Sequence, residues 1–185
     1  MSADASSLPS YTSAIAEQPL LGETIGANLE RTVARWGDRE ALIDVPTHRR
    51  WTYSELDVEV DELALGLLTR GVAAGDRVGV WSPNCAEWVL LQYATAKIGA
   101  VLVNVNPAYR SHELAYVVNQ SGLRLLVSAV RHRGSDYRGM VDQVRGECPG
   151  LQDIVHLGEP SWTELLDVTA RRETTNAETT RGDVR

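Results

Sequence analysis

At 185 residues and a formal net charge of −7, the chain has room for one α/β domain, or a domain and a half, around a real hydrophobic core. Hydrophobic residues make up 43%, and the acidic balance leaves no Lys/Arg face to neutralise phosphates, which argues against a nucleic-acid partner. No apolar run approaches the roughly 18 residues that a transmembrane helix requires.

The first residues, Met1 to Ser7, are acidic and polar, with neither a basic nor an apolar stretch of the kind that directs secretion. Cys85 and Cys148 stand in no metal-like spacing and read as reduced thiols, so a cytoplasmic protein is expected. Lys97 is the only lysine beside seventeen arginines, and thus the one candidate for a deprotonatable amine. Compositional bias is the simpler account of that ratio.

Residues 1–20 read as an extended Ser/Ala/Pro-rich leader. Residues 21–75 form a helix, hairpin and helix segment. Thr24 is placed to cap the first helix, Ile25, Leu29, Val33 and Trp36 share one face, and Gly37 ends it. Residues 41–44 and 50–53 pair as a hairpin around Pro46, Thr47 and His48. Ser54 with Asp57 then suggests a capping box for a second helix. Its apolar stripe is Leu56, Val60, Leu63, Ala64, Leu67 and Leu68, and its solvated face carries Glu55, Glu59, Asp61 and Glu62.

Residues 76–167 alternate strand and helix with short connections. Strands are expected at 77–81, 101–105, 123–127 and 153–157. The helices between and after them are expected to be capped at Asn84, to begin at Ser111, to carry Tyr137, Met140, Val141 and Val144 on one face, and to be capped at Ser161. The fold class is therefore α/β, a mostly parallel sheet with flanking helices and right-handed crossovers, preceded by a helix and β-hairpin. Residues 168–185 hold almost nothing apolar and read as a polar, disordered tail.

Motifs that carry chemistry are missing. No GxGxxG follows a strand, no GxxxxGK[ST] exists around Lys97, and neither a GxSxG elbow nor an HExxH pair is present. His48, His112, His132 and His156 are scattered and read as surface or turn residues. Asp61 and Glu62 are adjacent on a helix and point apart. Two segments lie at strand C-termini, where α/β sheets bind ligands. One is Arg131-His132-Arg133, read as a solvated loop; the other is Asn104 to Arg110, read as a structural strand-to-helix corner. The residues alone assign no catalytic, cofactor-binding or metal site.

Four segments, in order, resemble the opening of the AMP-forming acyl-CoA synthetases of the adenylate-forming superfamily. They are Trp51 to Leu56, Gly75 to Asn84 with Glu87-Trp88, Ala96 to Pro107, and Ser135-Asp136-Tyr137 with Cys148 to Leu151. The resemblance covers roughly residues 20 to 167, and its Asn104-Val105-Asn106-Pro107 form points to the fatty-acid CoA ligase branch.

It implies an incomplete N-terminal domain of the adenylate-forming fold. In the complete family it implies ATP, Mg and CoA, with a fatty acid activated as acyl-AMP and then transferred to CoA. The family's phosphate loop, hinge and catalytic lysine lie beyond the matched region, and Lys97 falls inside the second core motif, so no catalytic residue carries over. A truncated ligase part, inactive alone, is expected. The alternatives are an interaction module completing a split ligase, through exposed apolar faces beside Trp36, Trp51 or Leu67, and a stand-alone nucleotide-binding domain. Self-association through those faces is a further possible partnership.

Overall fold

The structure is a computed structural model that describes residues 20–167. The expectations for the leader before residue 20 and for the tail at 168–185 lie outside the described residues.

Helix α1 (Ile25–Trp36) starts at Thr24, whose hydroxyl accepts the Ala27 N–H. Its packed side is narrower than the sequence stripe suggests. Gly26 and Leu29 are buried, whereas Ile25 and Trp36 stay exposed, Trp36 beneath the Arg35 and Arg39 guanidinium groups. Strands β1 (Glu40–Asp44) and β2 (Arg49–Thr52) pair antiparallel, and His48 takes a left-handed turn conformation.

Helix α2 (Tyr53–Thr69) is capped two residues earlier than the Ser54/Asp57 pattern suggests. Thr52 accepts the Glu55 N–H, and the Glu55 carboxylate accepts the Thr52 N–H. Both pairs satisfy the same spacing. The tertiary fold selects the first, because the Tyr53 and Ser54 amides are already donated to the Arg39 and Gly37 carbonyls.

Strands then alternate with helices: β3 (Arg77–Trp81), α3 (Ala86–Lys97), β4 (Val101–Asn104), α4 (Ser111–Ser121) and β5 (Leu125–Ser128). A short hairpin follows, β6 (Arg131–His132) with β7 (Ser135–Asp136), and then α5 (Tyr137–Val144), β8 (Asp153–His156) and α6 (Pro160–Leu166). Helix α3 begins at Cys85 without a side-chain cap, not at Asn84. Helix α6 is preceded by Glu159 without a side-chain cap, and the Ser161 hydroxyl instead accepts the His156 N–H at 3.0 Å. Arg131 and His132 form one arm of the hairpin rather than a loop, and Arg133 and Gly134 make its turn at positive φ.

The parallel sheet has the order β4-β3-β5-β8. Its alternating side chains build two cores. Val78, Val80, Leu125, Val127 and Val155 face α1, α2, α3 and α6, and Leu126 and Trp81 face α4 and α5. Between α1, α2 and α3 lies Lys97, whose ammonium bonds Asp57 at 2.7 Å and Asp61 at 2.6 Å. Burial alone would lower the Lys97 pKa, but the two carboxylates outweigh it and hold the ammonium charged. The acidic face of α2 is therefore partly a packing contact: Glu59 likewise accepts the Trp51 indole N–H at 2.7 Å.

The expected apolar openings move. Trp51 is 5% exposed and Leu67 fully buried, because β1, α3 and α6 close over α2. Trp36 remains open, and so do Leu65 and Leu68 beside Leu67. The large apolar side chains left in solvent include Val58, Leu65 and Leu68 on α2, Ile43 and Val45 on the hairpin, and Val101 on β4.

Candidate functional site

Strand β4 lies to one side of β3 and β5 to the other, so the winding reverses between β3 and β5. Open α/β sheets bind ligands at the carboxyl ends of the strands at such a point. A cleft of about 610 Å³ is found there, floored by Ser82 to Cys85 after β3, Ala129 and Val130 after β5, and Leu157 and Gly158 after β8. The β1–β2 turn supplies Asp44, Thr47 and Arg49 to its wall, and the β6–β7 hairpin supplies Arg131 and His132. A more apolar groove of about 370 Å³ continues from it between the first hairpin and α3, past Leu42, Val45, Ala86 and Val89.

The charges in the cleft are already matched. Arg49 bonds Glu87 at 2.5 Å and Asp44 at 3.3 Å, stacking over Trp51. Arg131 reaches Asp136 at 3.3 Å. Cys85 has its sulfur 3.5 Å from the Ser82 hydroxyl, and burial pushes the thiol's pKa up, which disfavours the thiolate. No imidazole contacts this thiol among the described residues, so the cleft offers hydrogen-bonding groups but no activated nucleophile. Cys148, the other free thiol, is buried in the second core.

Of the positions marked in the sequence, His132 reaches the cleft wall, whereas His48 sits in the hairpin turn and His112 on the outside of α4. His156 is neither a surface nor a turn residue. It is buried at the end of β8, and its Nδ1 has no hydrogen-bond partner. Burial and the nearby Arg138 lower its pKa, against the opposing pull of Asp142 and Glu159.

The Asn104–Arg110 corner is tied down at several points. Asn106 accepts the Ala108 N–H through its side chain and the Trp81 indole N–H through its carbonyl, the latter at 3.0 Å. Tyr137 packs at a tilt against Trp81 and donates to the Pro107 carbonyl at 2.8 Å, and Arg110 donates to Ser135. These bonds fix the turn's position over the second core. Sequence spacing does not reveal the cleft, because its wall comes from two hairpins distant in the chain. The lone advance signal is that its floor lies at strand C-termini.

A doubly wound α/β layer with a helix and hairpin packed on one face is the class of protein defined here. The family model described as "AMP-binding enzyme" matches residues 29–183, and the chain belongs to that family. The match continues past Asp167, further than the resemblance read from the sequence. Over 144 residues the chain is 41% identical to the mitochondrial medium-chain acyl-CoA ligase ACSF2 of Macaca fascicularis, covering 78% of this chain and 23% of that protein. It is 40% identical to the Homo sapiens ligase of the same description, with the same coverage.

Among solved structures, the N-terminal domain of FACL13 from Mycobacterium tuberculosis superimposes with a TM-score of 0.71 and 25% identity, over 79% of this chain and 36% of that one. The long-chain-fatty-acid-CoA ligase FadD1 of Archaeoglobus fulgidus shares the fold, with a TM-score of 0.74 and 23% identity. The chain thus spans under a quarter of the length of the ligases it matches in sequence.

The described residues do not fit the phosphates of a nucleotide. The turns after β3 and β4 hold no glycine, Gly134 after β5 sits at the β6–β7 turn and does not line the cleft, and Gly158 after β8 is followed by Pro160, which has no N–H to offer. Arg49 and Arg131 are already paired with carboxylates.

Proposed function

We propose that these residues form the first α/β layer of an AMP-forming fatty-acid CoA ligase and do not turn over alone. The observation that carries this reading is 41% identity to a medium-chain acyl-CoA ligase over 144 residues that make up 23% of that protein. In the complete enzyme, ATP and Mg would convert a fatty acid to acyl-AMP and CoA would take the acyl group. A medium-chain substrate is the one the relatives' description favours.

The purified chain, incubated with ATP, Mg, CoA and octanoate, is expected to form no acyl-CoA above background; turnover would overturn the reading. A cytoplasmic location rests on the two free thiols, Cys85 and Cys148. The relatives are described as mitochondrial, and among the described residues no helix is long and apolar enough to cross a membrane.

A second reading, an interaction module that completes a ligase divided between chains, is favoured by the exposed Val58, Leu65, Ile43 and Val101. Co-purification with a separately encoded C-terminal part would support it. A stable monomer that binds no such part would count against it.

A further inference from the structure

His156 is a polar side chain in an inward-facing position. It ends β8 opposite Ser128 of β5, on the face of the sheet away from Val155, and is 9% exposed. Its main chain is fully used. The N–H donates to the Ser161 hydroxyl at 3.0 Å, and the carbonyl accepts the Glu159 N–H at 3.2 Å. The ring is not, because Nδ1 is buried without a partner. An unpaired buried nitrogen costs free energy that an apolar side chain of similar size would avoid.

Three charged groups act on this ring. Arg138 and Asp142 lie one turn apart on α5, and Glu159 lies in the turn that leads into α6. Arg138 and Glu159 are paired with each other at 3.2 Å. The other charges on the packed elements are engaged elsewhere: Asp153 of β8 and Glu164 of α6 both pair with Arg70. Strand β5 carries no charge.

The Arg138–Glu159 pair joins two sides of the cleft. Helix α5 continues directly from the β6–β7 hairpin, whose Arg131 and His132 form part of the wall, and Glu159 follows Leu157 and Gly158 of the floor. The Tyr137 and Arg138 N–H groups both donate to the Val130 carbonyl, at 3.0 and 3.3 Å, so the hairpin's exit is anchored on the same floor.

We propose that His156 is a proton-operated latch on this cleft. The neutral ring leaves Arg138 paired with Glu159. The imidazolium repels Arg138 and takes the Asp142 and Glu159 carboxylates, so the hairpin loses its tie to the β8 turn. The step is a proton taken from water and an exchange of ion-pair partners, with no covalent change. Burial and Arg138 disfavour the charged ring in the closed form, whereas a solvated ring titrates near about 6.5. Acid therefore favours the open form and neutral pH the closed one.

Hydrogen exchange on the chain alone tests the latch, with each rate divided by the intrinsic rate at its pH. The probes are the Tyr137, Arg138 and Glu159 amides. The control is Arg124, whose N–H donates to the Arg77 carbonyl at the opposite end of the sheet. Between about pH 7.5 and about pH 5 the probes should lose protection about two- to fivefold, the scale of a part-exposed ion pair, while Arg124 stays constant. His156→Gln should hold all four constant. Arg138→Gln should exchange faster at the probes already at neutral pH and gain nothing further in acid.

Probes that acid leaves unmoved in the wild type, or moves no more than Arg124, overturn the latch. A full acid response in His156→Gln does the same. Should that variant not fold, Arg138→Gln decides: an acid response as large as the wild type's overturns the exchange of partners, and its loss upholds it.

Discussion

Replacing Gly66 by alanine reverses a familiar sign. Inside an exposed helix such a change gains about 0.5–1 kcal/mol, because glycine pays more backbone entropy. Gly66 is buried where α2 meets α6, and an added Cβ would overlap the Leu165 carbonyl oxygen and crowd the Leu165 side chain. The obstacle is backbone and cannot rotate away. Carbon–oxygen contacts settle near 3.3 Å, so α6 must retreat by clearly more than about 1 Å.

Trp162 and Leu165, 8% and 1% exposed, anchor α6. Each is worth about 1.5–3 kcal/mol when buried, and a gap of 0.5–1 Å forfeits about a quarter to a half of the contact energy. With the larger gap the loss is at least about 1.5–3 kcal/mol, and the net destabilisation is about 0.5–2.5 kcal/mol after the helix gain. Urea unfolding followed by circular dichroism measures it, and hydrogen exchange locates it, with faster exchange at the Leu165 and Leu166 amides. A Gly66→Ala chain with a raised midpoint and unchanged α6 protection would refute the reasoning.

Other outcomes follow from the same packing. Lys97→Met leaves Asp57 and Asp61 without their shared cation between three helices, and is expected to cost about 1–3 kcal/mol in chemical denaturation. Asp57→Asn in the same background should cost less than it does beside Lys97, which a double-mutant cycle checks. For His156 the folded pKa lies below the unfolded value of about 6.5, so the unfolded chain binds more protons as the pH falls. Its contribution is complete above about pH 6.5 and declines below it, and the melting temperature of His156→Gln should depend less on pH between about 5 and 7 than that of the wild type. Gly79→Ala places a Cβ 2.5 Å from Leu123 Cδ1 in the middle of β3, and overpacking should cost about 1–3 kcal/mol in urea unfolding.

Element type was legible because the signals are local. The i, i+4 stripe from Leu56 to Leu67 and the apolar runs at Val78 and Leu125 need no tertiary information to be read. Helix starts were less legible. Thr52, Cys85 and Glu159 precede the helices where Ser54, Asn84 and Ser161 were expected, since each competing hydroxyl or amide has a partner only the fold supplies, or none. The β6–β7 hairpin escaped because its strands are two residues long, too short for any period to show.

Sequence by itself determined the α/β class, the sequence of strands and helices and, through four ordered segments, the kinship with acyl-CoA synthetases that the family match extends to residue 183. These depend on side-chain period and spacing along one chain. Only the tertiary structure decided the strand order β4-β3-β5-β8, the cleft at its reversal, the burial of Trp51 and Leu67, and the tie of Lys97 to α2. Each of these pairs residues far apart in sequence, and no local preference fixes which distant partner a strand edge or a charge will meet.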